Sequence, residues 1–160
     1  MTIKVGDRIP SAKLMQATAE GPKEVTTEEF FGGRTVVLFG VPGAFTPTCS
    51  AKHLPGFVAQ ADALKAKGVD AIACMAVNDV FVMGAWGKDQ GVGEKVIMLA
   101  DGSAAFTKAL GLELDLTARG LGVRSQRFAL VAKDGVVTHL AVEAPGAFEV
   151  SSAEAVLAAL

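Results

Sequence analysis

The run Val69 to Val77, VDAIACMAV, constrains this chain more than any other stretch. Its apolar side chains fall on both faces of an extended backbone. A strand of that kind has no wet side, so it requires a sheet covered by helices above and below, as in parallel α/β folds. A second run, Thr35-Val36-Val37-Leu38-Phe39, is β-branched and aromatic and reads as another fully buried strand. Pro42 and Gly43 break it, and Thr46-Pro47-Thr48 punctuate the entry to a helix. Leu54, Phe57, Val58, Ala61 and Leu64 then recur at helical spacing, which makes the stretch between the two strands a helical crossover. Pro55 falls a few residues past the helix start, where it can donate no backbone hydrogen bond, so the helix is expected to kink before running on to Ala66 and stopping at Lys67-Gly68.

The flanking chain extends the same plan. Lys13-Leu14-Met15 and Lys23-Glu24-Val25 are candidate short strands joined through Glu20-Gly21-Pro22. Thr26 and Glu29 have capping-box spacing for a helical turn over Thr27 to Phe31, ended by Gly32-Gly33. Beyond Asn78-Asp79, a short helix is expected from Val80 to Trp86, a strand from Lys95 to Leu99 and a helix from Ser103 to Leu110. Leu110 to Val123 reads as a connector with some helical turn. Arg127 to Ala132 and Val136 to Val142 flank the hairpin turn Lys133-Asp134-Gly135, and Ser151 is placed to start a terminal helix with Glu154 three residues on and Ala155, Leu157 and Leu160 as packing residues. Three βα units, a hairpin and a helix give an α/β fold with a mixed central sheet and helices on both faces. No repeat or linker divides residues 1–160, so a single domain is expected.

Hydrophobic residues make up 51% of the chain, too many for a disordered segment, and the net charge of −2 with scattered basic residues excludes a nucleic-acid or membrane-surface footprint. The amino-terminal MTIKVGDRIP lacks an apolar signal core, and the two cysteines suit a reducing compartment better than a disulfide framework. A cytoplasmic location is the expectation.

Cys49 is where chemistry enters. It falls in the first turn of the crossover helix, where backbone N–H groups lack intrahelical partners and the dipole favours an anion. The thiolate is the reactive form of cysteine, so this position can make a nucleophile. A buried, inert cysteine under a core helix fits the same position equally well.

Pro42, Thr46 and Cys49 together form P-x-x-x-T-x-x-C, the pattern of the peroxiredoxins. The longer string VPGAFTPTCSAKHLPGF resembles the subfamily that contains peroxiredoxin V and the plant type II enzymes. So do VNDVFVMGAW (Val77 to Trp86), LADGSAAF (Leu99 to Phe106) and RFALVAKDGVV (Arg127 to Val137). The likeness spans nearly the whole chain in order. It implies a thioredoxin-like fold and a thiol peroxidase acting on hydrogen peroxide and small organic hydroperoxides, with no metal, haem or flavin. Cys49 would be the attacking thiolate. Thr46 would reach both sulfur and peroxide, Pro42 would shield the oxidised sulfur, and Phe45 and His53 would line the substrate pocket. An arginine is needed beside the sulfur. The resemblance of QRFALV favours Arg127, while Arg124 reads as a solvated strand-edge residue, since an offset of three on one strand puts the two on opposite faces. A Cys49/His53 metal pair is too sparse to make a site. Trp86 reads as core.

The resemblance also implies an external thiol reductant, glutathione with a glutaredoxin or else thioredoxin, and a homodimer. Mammalian relatives carry a resolving cysteine near the carboxyl terminus; here Ser151 stands in its place. The spacing from Cys49 to Cys74 resembles that of plant type II relatives, which makes Cys74 a possible resolving residue. Its place in a strand buried on both faces, about 10 Å below the sheet edge by strand rise, favours a core role instead. Two other functions remain open at this point: a redox sensor whose Cys49 signals with little turnover, and a binding module with an ordinary thiol.

Overall fold

The computed structural model describes residues 2–160; Met1 lies outside it. Strand β1 (Lys13–Thr18) and β2 (Gly21–Thr26) form an antiparallel pair ahead of the short helix α1 (Thr27–Phe31). Strand β3 (Thr35–Gly40) leads to helix α2 (Leu54–Ala66), strand β4 (Ala71–Ala76), helix α3 (Val80–Asp89), strand β5 (Ile97–Ala100) and helix α4 (Ala105–Leu110). A ribbon of β6 (Glu113–Leu116) and β7 (Gly122–Ser125) follows, then the hairpin β8 (Phe128–Lys133) and β9 (Val136–Val142), and helix α5 (Ala153–Ala159).

Among the described residues the main sheet has the order β2-β1-β5-β4-β3-β8-β9. β3, β4 and β5 are parallel, with Val36 opposite Ala71 and Cys74 opposite Met98; β8 is antiparallel to β3. The mixed sheet is as the sequence pattern required, and every residue of β4 is buried. Alternate residues feed two cores. Val37, Phe39, Cys74 and Ala76 pack under Phe57, Ala61 and Leu64 of α2 and Met83 and Trp86 of α3. Val36, Leu38, Ala73 and Met75 pack against Phe30, Phe31, Phe106 and Leu110 from α1 and α4 on the opposite face. Full burial of each large side chain contributes about 1.5–3 kcal/mol, so the two layers supply the driving force that fixes the strand register.

The hairpin turn places Asp134 and Gly135 at φ 48° and 78°, the left-handed pair that matches strand twist. Asp134 Oδ1 accepts the Gly33 N–H at 2.7 Å, tying this turn to the end of α1.

Several elements differ from expectation. Helix α3 runs on to Asp89, capped by Asp79 Oδ1 accepting the Val82 N–H at 2.9 Å. β5 begins at Ile97 rather than Lys95, and α4 begins at Ala105 because Ala104 sits in the left-handed region at φ 61°. The stretch from Leu110 to Val123 is no mere connector. Exposed Glu113 and Asp115 alternate with half-buried Leu114 and Leu116, and this period of two builds a strand that returns through a 3-10 turn at Thr117–Arg119. Finally, the cap of α5 is Ser152, whose Oγ accepts the Ala155 N–H, while Ser151 turns inward and is fully buried.

Candidate active site

The loop after β3 is pinned from below. Val41 N–H donates to the Met75 carbonyl at 3.0 Å, and Ala44 N–H donates to Asn78 Oδ1 at 2.9 Å. Phe45 takes φ 62°, a conformation that costs a non-glycine residue on the order of 1 kcal/mol and is found where surrounding structure over-determines the backbone. Thr46 donates its hydroxyl proton to the Gly43 carbonyl at 2.7 Å. That leaves the oxygen lone pairs of Thr46 free to accept from a bound molecule.

Helical backbone begins at Pro47, so Cys49 lies in the first turn. Cys49–His53 forms a π-helical turn, closed by Leu54 N–H on the Cys49 carbonyl. Pro55 explains it. Proline has no N–H for the carbonyl four residues back, and its ring would collide with that carbonyl; one widened turn relieves both problems. The expected kink takes this form, and it sets Cys49 and His53 on one side of the helix.

Arg127 reaches this pair from the other half of the chain. It precedes β8 with the same parity as Ala129 and Val131, which face the core under α2. Its Nη2 donates to Cys49 Sγ at 3.1 Å and its Nη1 meets His53 Nδ1 at 2.8 Å. The other ring nitrogen, His53 Nε2, lies 2.9 Å from the Ser151 carbonyl. A carbonyl can only accept, so Nε2 carries the proton and Nδ1 accepts from the guanidinium. His53 is fully buried among Phe39, Phe57 and Phe148, with ring centroids 4.9, 5.6 and 5.0 Å away. Burial, reinforced by the Arg127 charge, lowers its pKa from 6.5 to about 3, against smaller opposing effects of the Ser151 bond and Glu143. The imidazole is therefore neutral in the working pH range and serves as a hydrogen-bond buttress rather than a proton donor.

A cleft of about 270 Å³ opens beside this group, with Pro42, Thr48, Arg127, Leu114 and Pro145 in its walls. Cys49 itself is buried beneath the surface. Phe45 and His53, expected as pocket walls, lie elsewhere: Phe45 is 53% exposed with its ring 6.5 Å from Trp86, and His53 sits behind the sulfur in the core. Trp86 is buried and donates to Ser50 Oγ at 3.0 Å, steadying the π-turn.

Arg124 departs from the solvated role expected of it. It belongs to β7, a different strand from β8, so the opposite-face reasoning does not apply. Its Nη1 donates to the Pro42 carbonyl at 3.1 Å and its Nε to the Leu121 carbonyl at 2.9 Å. Gly43 makes room: a Cβ there would lie 2.5 Å from Arg124 Nη1. Arg124 thus holds the proline loop, and Arg127 holds the sulfur.

Both cysteines are free thiols. Cys74 is completely buried opposite Phe39, and burial pushes its pKa well up, with Cys49 adding to the effect and Arg127 opposing it. Glu143 and Phe148 were invisible in the sequence. Both belong to the segment after β9, where a Pro-Gly loop offered no periodic signal. Among the described residues no group of three or more His, Cys, Asp or Glu is placed to hold a metal ion.

Comparison with known proteins accords with this geometry. The chain matches the Redoxin family over residues 4–157. It is 57% identical over 164 residues to the chloroplastic peroxiredoxin-2E-2 of Oryza sativa subsp. japonica, covering 99% of this chain and 73% of that protein. It is 51% identical over 159 residues to peroxiredoxin-2B of Arabidopsis thaliana, covering 99% and 98%. The crystal structure of reduced Prx3 in complex with H2O2 from Vibrio vulnificus superposes with a TM-score of 0.95 at 57% identity, covering 99% of each chain. The chain belongs to the redoxin family, as a peroxiredoxin of the plant type II kind, and is a thiol-dependent peroxidase.

Proposed function

We propose that Cys49 is the thiol that performs this peroxidase chemistry, with Arg127 and Thr46 as its catalytic partners. The observation that carries the assignment is the Arg127 Nη2 contact with Cys49 Sγ at 3.1 Å, at a helix start and next to a cleft. The Cys49 thiolate attacks one oxygen of the hydroperoxide, forming an S–O bond as the O–O bond breaks. Two electrons pass from sulfur to the peroxide, and the departing oxygen leaves as hydroxide or alkoxide and takes a proton to become water or an alcohol. Arg127 donates to the sulfur and to the oxygen on which charge develops, where a fixed donor lowers the barrier most. Thr46, its proton committed to Gly43, accepts the O–H of the incoming peroxide and so fixes the line of attack. Pro42 presents no N–H and covers the sulfenic acid from the cleft side.

A second thiol then attacks the Cys49 sulfenic acid with loss of water, and a third returns Cys49 as thiol and leaves as disulfide. We assign these to an external reductant, glutathione with a glutaredoxin or thioredoxin, because the only other thiol, Cys74, is buried in β4. Sulfur is the only redox centre this scheme needs, so turnover should persist in a chelator. A homodimer in a cytoplasmic, reducing compartment completes the proposal, and light scattering on the purified protein checks the dimer.

Cys49→Ser should abolish peroxide consumption while circular dichroism stays native. Retained turnover in that variant refutes the assignment. Steady-state assays with glutathione plus glutaredoxin, set against thioredoxin, identify the reductant. Sustained turnover in either separates a peroxidase from a sensor that is oxidised once.

A further inference from the structure

Glu143 is a buried carboxylate that the scheme above leaves without a task. It stands one position past β9, and its N–H donates to the Arg127 carbonyl at 2.9 Å, so the two residues are ladder partners at the end of the sheet. Its side chain reaches back under the following loop. Oε2 accepts the N–H groups of Glu149, Val150 and Ser151 at 2.9, 2.9 and 2.8 Å, and the Ser151 hydroxyl at 2.6 Å. Glu143 is only 6% exposed. Burial raises its pKa, but these four donors outweigh burial and the net shift is downward, which keeps the group ionised near neutrality. Three consecutive backbone N–H groups gathered on one oxygen close residues 144–151 into a fixed loop.

That loop delivers two things to the sulfur site. Phe148 covers the His53 ring and lies 5.8 Å from the Arg127 guanidinium carbon. Ser151, held through its N–H and hydroxyl, presents its carbonyl to His53 Nε2. The carbonyl selects the tautomer with the proton on Nε2. The opposite tautomer would turn an N–H toward the N–H of Arg127, and two donors facing each other would push the guanidinium off the sulfur. Arg127 from the edge of β8 and Glu143 from the edge of β9 are the charged groups acting on His53, and Cys49 is the titratable group sharing its turn.

We propose that Glu143 is a positioning residue for peroxide reduction: by pinning Ser151 it fixes the His53 tautomer, and His53 in turn aims Arg127 at the Cys49 sulfur. The proposal rests on the assignment of Cys49 and Arg127 above. Its reach to the sulfur runs through four hydrogen-bonded links, Glu143 to Ser151, Ser151 to His53, His53 to Arg127 and Arg127 to Cys49, with no contact between Glu143 and the peroxide required.

The test combines stopped-flow rates of Cys49 oxidation by H2O2 with 15N-detected imidazole spectra of His53 in the wild type, Glu143→Ala and Glu143→Gln. In the wild type, His53 should show a single tautomer with unprotonated Nδ1. In Glu143→Ala the second-order rate should fall about tenfold or more, as expected for loss of a charged hydrogen-bond anchor. The His53 signals should become a tautomer mixture, with the proton shared between Nε2 and Nδ1. Glu143→Gln, which keeps an acceptor but no charge, should lie between, at a loss of about threefold. A rate within about threefold of wild type in Glu143→Ala overturns the proposal. So does a lowered rate with His53 spectra unchanged, since a simple loop tether would do that. If Glu143→Ala does not fold, the near-isosteric Glu143→Gln decides: wild-type rate and spectra overturn the proposal, and a loss accompanied by tautomer exchange supports it. Failure of the underlying site is separately visible, because it would leave Cys49→Ser active.

Discussion

Acidification should destabilise this protein through His53. In the unfolded chain His53 has an ordinary imidazole with pKa 6.5; in the native core it is lowered to about 3 by burial and by Arg127. Between those values the unfolded state binds one more proton than the native state, so stability rises with pH there and is lost as pH falls. The contribution is fully present above about pH 6.5 and declines by about 1.4 kcal/mol per pH unit below it. From about pH 7 to about pH 5 the loss is about 2 kcal/mol, a large share of the 5–15 kcal/mol that holds a typical domain. Glu143, whose pKa is lowered from 4.5, loses its share only below about pH 4.5, outside that interval. The assay is urea unfolding at several pH values, with wild type set against His53→Gln. Glutamine can still donate to Ser151 and accept from Arg127 but does not titrate, so the difference between the two pH profiles belongs to His53. Parallel profiles for the two proteins over this interval would show that the imidazole is not held neutral by the fold, and the buttress account of His53 would fail.

Two further outcomes follow from the site geometry. Arg127→Ala removes a charged hydrogen bond to the reacting sulfur and leaves His53 Nδ1 unpartnered, so the rate of peroxide attack should fall about 30- to 100-fold, the equivalent of about 2–3 kcal/mol. Arg124→Ala, which loses only its bonds to the Pro42 and Leu121 carbonyls, should slow attack about tenfold or less; the reverse ranking in stopped-flow rates would reassign the catalytic arginine. Cys74→Ser should keep most glutathione-dependent turnover, and mass spectrometry after one equivalent of peroxide should find sulfenic or glutathionylated Cys49; a dominant Cys49–Cys74 disulfide would refute the external-reductant scheme.

What could be read from the sequence was whatever depends on near neighbours. β3 and β4 declared themselves because a strand covered on both faces must be apolar throughout, and Leu54, Phe57, Ala61 and Leu64 mark a helix by spacing alone. Cys49 and Thr46 were legible because the pattern that joins them is local. Arg127 needed the family resemblance, since a lone arginine before a strand has no periodic meaning. The ribbon of β6 and β7 was missed because its strands are four residues each and split by glycines. The misplacement of the α5 cap by one residue has a physical source: Ser151 and Ser152 are equally good caps in isolation, and Glu143 claims the first of them. The resemblance puts Phe45 in a pocket wall, whereas the structure gives it a left-handed backbone and leaves its ring exposed. The Ser151 carbonyl and Phe148 meet His53 from the far end of the chain, and Glu143 grips the loop that follows it, six to eight positions on, where no periodicity marks the fold.

The pairing of Gly40 with Phe128 has a consequence for how activity is acquired. Cys49 and Arg127 are 78 positions apart, and the distance between them in space is set by the antiparallel register of β8 on β3. A slip of one residue would turn Arg127 to the opposite face of the sheet. The helix bearing the thiol can form early from local contacts, but its guanidinium partner arrives only with the longest-range strand pairing, which is the slow kind. During synthesis and refolding the Cys49 thiol should therefore precede the guanidinium that the assignment proposed above makes its accelerator. On that proposal, fast reaction with peroxide would report completion of the sheet, and a partly assembled chain would spare its cysteine until the fold is ready to use it.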